Sequence, residues 1–317
     1  MKLAEIYRLA VKKGMGKDSR GASGIREELR CAKNEYNKSK GPDRKAFDRE
    51  ALTNPYADTR ILYGDPECEV NTVMVGIDME APEIIAADRL IERGVRVDLV
   101  MAHHPEGAAW AKFYDVMKLQ VAMLAKVGIP KDIGAALLKD RMGEVERAVA
   151  PANHFRAVDI ARLLGIPFMC VHTPADNHVA DYLQKLFDRK KPAKLSNVLS
   201  MLKAIPEYAD GLKKNAGPRI LVGAGDKKAG RVFVDMTGGT EGPKKIFPRL
   251  SQAGVGTIVA MHLSEEHFRV AKDEHINVVI AGHIASDSLG LNLVLDGIER
   301  SGSLNIIPAS GFVRIKR

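Results

Sequence analysis

The chain has 317 residues, a net charge of +8, and a composition that is 45% hydrophobic, 28% charged and only 5% aromatic. That balance describes a folded globular protein with an aliphatic core, of one large or two medium domains. No apolar run approaches the roughly 20 residues that span a bilayer, and the three cysteines, Cys31, Cys68 and Cys170, are too scattered for a disulfide framework and fit a reducing compartment.

Met1-Lys2-Leu3-Ala4-Glu5-Ile6-Tyr7-Arg8 carries charges where a signal peptide would be apolar, so the sequence points to the cytoplasm. Helical spacing over 2–13 stops near Gly14 and Gly16, and a second, polar helix is expected over about 24–36. Residues 38–42 read as a linker. Residues 1–60 hold 15 Lys/Arg against 9 Asp/Glu and so contribute +6 of the net charge. Interleaved acids and few aromatics favour a solvated helix face over a nucleic-acid-binding arm. Residues 1–59 therefore read as a basic helical N-terminal extension.

The body is expected in two α/β halves, 60–194 and 195–317. In the first, a strand at 72–77, an amphipathic helix at 82–93 and a strand reaching Ala102 make a βαβ unit. Helices are expected at 108–126, 132–149 and 154–164, then a strand over 168–171, a helix near 178–188 and helical structure over 195–214. The second half repeats the plan. Strands at 219–222 and 230–234 precede a helix at 243–253, a strand at 257–262, a helix at 264–274 and a strand ending at Gly282. No clear sequence repeat links the halves.

Three of these strands end in metal-ligand residue types. They run into His103-His104-Pro105, into His172-Thr173-Pro174-Ala175-Asp176, and into Gly282-His283-Ile284-Ala285-Ser286-Asp287. The carboxyl edge of an α/β sheet is where ligands bind, and imidazole with carboxylate suits zinc, iron or manganese. His103 and His104 alternate in an extended chain, so the pair can serve two metals, or one metal and its surroundings. His172 and Asp176 read as a loop, with Asn177 available to cap the following helix. His283 and Asp287 share one face if a helix begins after Gly282. Each fragment has a plain alternative as a hydrogen-bonded or capping residue. Three buried polar clusters would each need partners, and one dinuclear site would satisfy them together.

Further features follow other strands. In His262-Leu263-Ser264-Glu265-Glu266-His267, Ser264 is a plausible N-cap, and Glu266 or His262 could transfer protons. Capping is the stronger reading for Glu265 and Glu266. The glycines of Thr237-Gly238-Gly239-Thr240-Glu241-Gly242 could admit an anion, but the segment lacks a P-loop lysine and reads better as a turn. Cys170 reads as a packed thiol.

These stretches, with Gly76-Ile77-Asp78 ahead of the double histidine, resemble the Nif-three family, the YbgI-like dinuclear-metal proteins also called GTP cyclohydrolase I type-two homologues. The resemblance covers roughly 60–190 and 217–317, and the first 60 residues have no counterpart in short members. It implies two intertwined α/β halves with the metal site between them. It implies two divalent ions per chain, one held by His104 and Asp176 and the other by His103 and His283. A final carboxylate would bridge them, and here Asp287 stands where the family usually has Glu. It also implies a homo-oligomer, a toroidal hexamer.

The lead expectation is a metal-dependent hydrolase. A metal-bridged hydroxide would attack a small phosphoester, amide or heterocycle, with Glu266, His262 or His172 assisting proton transfer. No residue set reads a guanine base. The alternatives are a non-catalytic metal storage or delivery protein, or an oligomeric scaffold associated with nucleic acid.

Overall fold

Apolar, β-branched runs bounded by glycine and polar residues make nine short strands in the computed structural model, which describes residues 1–317. They are β1 (Arg60–Tyr63), β2 (Thr72–Gly76), β3 (Leu99–Ala102), β4 (Phe168–Cys170), β5 (Arg219–Val222), β6 (Arg231–Asp235), β7 (Val255–Ala260), β8 (Asn277–Ile280) and β9 (Asn305–Pro308). One sheet has the order β1-β4-β3-β2-β9 and the other β5-β8-β7-β6. Within each sheet only the first strand is antiparallel to its neighbour. β2, β3 and β4 are buried along their whole length, as parallel strands covered on both faces must be.

The α/β architecture, its βαβ units and its N-terminal helices match the sequence expectation. The halves are intertwined through the C-terminal strand, since β9 leaves the second half to pair with β2 of the first sheet. The sheets also share a topology that no sequence repeat announced. β1 to β4 and the helix Thr173–Lys190 recur in the same order as β5 to β8 and the helix His283–Glu299. These two helices pack directly on each other. A Cβ added to Gly290 would lie 2.5 Å from the backbone oxygen of Ala175, so glycine allows the close approach.

Leu3, Ile6 and Ala10 of the helix Leu3–Met15 are fully buried in one core with Val73, Leu99 and Leu295. The first helix is thus part of the body. The following helix, Gly21–Lys38, buries only Ile25 and presents a charged surface.

Several local expectations are corrected. The 38–42 linker is interrupted, because a short helix Gly41–Ala46 begins with proline in its first turn. The span 108–126 breaks into Gly107–Ala111, a 3-10 turn Phe113–Lys118 and the helix Leu119–Val127. Pro206 likewise divides 195–214 into Leu195–Lys203 and Pro206–Lys213. His172 to Asp176 is not a loop. The helix starts at Thr173, with Pro174 inside its first turn, where the missing amide proton costs nothing. Asn177 is therefore within the helix and does not cap it.

Candidate metal centre

The ends of β3, β4 and β8 meet at one point between the two sheets. His103 and His104 follow β3, His172 follows β4, and His283 opens its helix directly after β8. Gly282 makes that last turn at φ +109, where an added Cβ would lie 2.5 Å from the oxygen of Ala216. Asp176 and Asp287 each lie in the first turn or so of the two packed helices, so helix packing drives the carboxylates together.

His103 Nε2 lies 3.4 Å from Asp176 Oδ1 and 3.4 Å from Asp287 Oδ1. The other Asp287 oxygen lies 3.6 Å from His104 Nε2 and 3.6 Å from His283 Nε2. Two ligand groups result, His103 with Asp176 and Asp287, and His104 with His283 and Asp287. Asp287 turns one oxygen to each. The partners of the two adjacent histidines are thus exchanged relative to the grouping that the resemblance implies. A further triad joins His103, His104 and His172.

The side chains around the cluster fix which nitrogen faces it. The Val171 carbonyl can only accept, so His103 Nδ1 donates to it at 3.1 Å and Nε2 is left toward the carboxylates. His104 Nδ1 is held at 2.6 Å by Asp78 and His172 Nδ1 at 2.8 Å by Asp58. Asp58 is fully buried and also accepts from the Thr173 hydroxyl at 2.6 Å. Burial would raise its pKa, but the bonds from His172 and Thr173 outweigh this and lower it. Burial also acts to raise Asp287, yet His103, His283 and His104 together hold it below the ordinary carboxylate value. His103 goes the opposite way: desolvation disfavours its charge, and Asp287 and Asp176 overcome that and raise its pKa well above normal.

Residues of this kind fit a metal ion. Asp176 Oδ1 and both Asp287 oxygens are buried without any hydrogen bond. Buried, unpartnered carboxylate oxygens are costly unless a cation answers them, and the buried His/Asp groups here could hold metal ions.

The assisting residues divide. His172 packs beside His103, with ring centroids 4.8 Å apart, and His262 lies against His283 at 5.0 Å. Glu266 is not brought to the centre. It sits in the first turn of the helix Glu265–Asp273, which Ser264 caps, and points to solvent in a 2.7 Å pair with Lys244. The carboxylate beside His262 is Glu241 instead, 3.4 Å from Nδ1 and bonded at 2.6 Å by the Ser264 amide. Burial opposes ionisation of Glu241, but His262 and Ser264 pull its pKa down to about 2. Asp235, at the end of β6, is pushed up to about 6, chiefly by burial.

A cavity of about 80 Å³ runs from His172, Asp176, His283 and Asp287 to Asp235 and Glu241. At about one water per 10–15 Å³ of such space, it holds several waters or one small group. In the glycine-rich turn beside it, the Gly238 and Thr240 carbonyls accept from the Gln120 side-chain amide at 2.9 and 2.7 Å. Cys170 is buried, with its thiol pushed up to about 12 by burial.

The internal repeat also relates the site residues. β3 ends at Ala102 before His103-His104, and β7 ends at Ala260 before Met261-His262, so His262 takes the place of His104 in the second half. In the other strand pair the count differs by one: β4 ends at Cys170 and β8 at Ile280, so Gly282 and Ser286 stand at the places of His172 and Asp176, and His283 and Asp287 each follow one residue later. Asp58, Asp78 and Glu241 were not singled out from sequence. Only Asp78 carried a signal, as an acid just past the carboxyl end of β2.

The fold and cluster define an α/β protein with a buried His/Asp centre between two sheets. No protein-family model matches the sequence, and no curated protein does. Among solved structures, the chain is similar to a NIF3 superfamily protein from Sphaerobacter thermophilus, at 24% identity and a TM-score of 0.69, covering 90% of this chain and 98% of that one. It thus has the NIF3 fold. HcgD from Methanocaldococcus jannaschii matches at 17% identity and a TM-score of 0.48, over 83% and 93% of the two chains. The protein ybgI matches at 13% identity and 0.45, over 83% and 92%. No helix is long and apolar enough to cross a membrane.

Proposed function

We propose that the chain is a NIF3-type dinuclear metal protein and a metal-dependent hydrolase of small phosphoesters, amides or heterocycles. The observation that carries this reading is the set of three unpartnered, buried carboxylate oxygens on Asp176 and Asp287, facing imidazole Nε2 atoms. His103, Asp176 and Asp287 would hold one divalent ion, and His104, His283 and Asp287 the other. Zinc, iron and manganese all suit these donors. Such ions supply Lewis acidity and bring the pKa of bound water down toward neutrality.

This chain's own residues supply the rest. Asp78 and Asp58 hold the rings of His104 and His172 in fixed orientations. His262, paired with Glu241 and facing the cavity, is placed to carry a proton to or from a substrate. His172, paired with Asp58, is a second such group. Glu266 has no part in this scheme. We place the protein in the cytoplasm as a homo-oligomer, a hexamer by its resemblance, with a small-molecule substrate and without nucleic acid.

Non-catalytic metal storage or delivery is the second reading, favoured by the small cavity. Asp287→Asn separates the two. A hydrolase loses turnover on phosphoester and cyclic amide substrates while retaining part of its metal. A carrier changes only in metal affinity.

A further inference from the structure

Five buried side-chain nitrogen or oxygen atoms make no hydrogen bond, and three of them belong to the metal centre. The other two are Ser19 Oγ and His178 Nε2. Neither lines the metal-site cavity. Each opens instead on one of two adjoining cavities, of about 290 Å³ beside Ser19 and about 330 Å³ beside His178. Lys17, Asp181 and Lys185 line both, forming the wall between them. The signature that marks the metal centre, buried polar atoms left without partners, thus recurs at one other place.

Positive charge is in excess there. Asp181 is shared by two ammonium groups, Lys17 at 3.0 Å and Lys185 at 2.8 Å. Asp188, the other carboxylate on the walls, accepts only from Gln184. Lys126 and Arg231 on the first cavity and Arg189 on the second enter no ion pair. Arg231 is held in place by the backbone oxygens of Lys126 and Val127, both at 3.0 Å. Five cations therefore face two carboxylates around space of ligand size. His178, only 8% exposed, and the Ser19 hydroxyl add neutral hydrogen-bonding groups at the back. Ammonium, guanidinium and hydroxyl groups converging from several sides suit the tetrahedral oxygens of phosphate, which accept many bonds at once.

We propose that these paired cavities bind a phosphate-bearing small molecule, independently of the metal centre. The contacts would come from Lys17, Ser19, Lys126, His178, Lys185 and Arg189. The neutral groups lie recessed behind the lysines, which suits a small anion entering the cavity.

The test is calorimetric titration of the full chain, as purified, with inorganic phosphate in 0.15 M KCl. The comparison set is His104→Ala, the double variant Lys126→Glu/Lys185→Glu, and Arg189→Ala, with folding of each checked by circular dichroism. All three positions altered in the last two variants, Lys126, Lys185 and Arg189, are exposed, and Arg189→Ala stands alone if the double variant misfolds. The expected result is at least one equivalent of phosphate bound by both the natural chain and His104→Ala. Each charge variant should weaken that binding, by about tenfold or more for the double reversal, the worth of about one charge-assisted hydrogen bond. Absence of binding, unchanged affinity in either charge variant, or loss of all binding in His104→Ala would overturn the proposal.

Discussion

Gly290→Ala asks whether the approach of two helices sets the candidate metal centre. The new methyl carbon would lie 2.5 Å from the oxygen and 2.8 Å from the carbonyl carbon of Ala175. Both are backbone atoms, so no side-chain rotation relieves the clash. Reaching ordinary contact near 3.4 Å requires the helices to part by about 0.9 Å. An uncrowded helical glycine would gain about 1 kcal/mol on becoming alanine. Overpacking a closed contact costs about 1–3 kcal/mol, and a rigid backbone neighbour places this case at the upper end. The net expectation is a loss of about 1–2 kcal/mol. Ala175 adjoins Asp176, and Gly290 lies on the turn after Asp287, so the same shift separates the two carboxylates. Binding sites tolerate displacements of about 0.5 Å, so metal affinity should fall as well. The assay is thermal unfolding with and without added zinc, because a ligand bound only by the folded state raises its stability with occupancy. The variant should melt below the natural chain without zinc, and its zinc-induced rise should shrink. A variant that melts higher, with an unchanged zinc response, would show that this helix contact does not set the site.

Other predictions follow from the groups around the centre. Asp58→Asn removes the carboxylate that orients His172 and bonds Thr173. It should cost about 1–3 kcal/mol and shift the His172 ring-nitrogen resonances toward the other tautomer, read by nitrogen-15 NMR; an unchanged tautomer would contradict this. For Asp235 the sign follows from a folded-state pKa of about 6, above the unfolded value near 3.8. Its contribution is fully present below the unfolded pKa and is lost as pH rises through the folded one. Asp235→Asn should therefore gain stability over the natural chain between pH 4 and 8, by up to about 3 kcal/mol. Urea unfolding of metal-free protein at the two pH values measures it, and a difference that does not grow with pH counts against the assignment.

Much of the centre was legible because its logic is local. Val97 to Ala102, Phe168 to Val171 and Asn277 to Ala281 are apolar runs that end abruptly in ligand types, and buried parallel strands do the same. The misreadings share a different origin. Pro174 looked like a loop residue, although proline in a first helical turn is well accommodated. Glu266 is near His262 in sequence, but helix phase turns it to solvent, and the carboxylate that reaches His262 is Glu241, from another loop. Asp58 precedes a strand of only four residues, β1, whose neighbour β4 is remote in the chain. Such partnerships are set by sheet order, which no short window of sequence contains. The repeated topology is hidden for the same reason: β-strands keep their place through pairing while their side chains diverge.

Whether the His/Asp cluster holds two metal ions is decided by elemental analysis of the purified chain beside its His104→Ala variant. About two equivalents of zinc, iron or manganese per chain are expected, with a sharp fall in the variant. A chain that binds none of the three, even after reconstitution with each, would contradict a two-metal site.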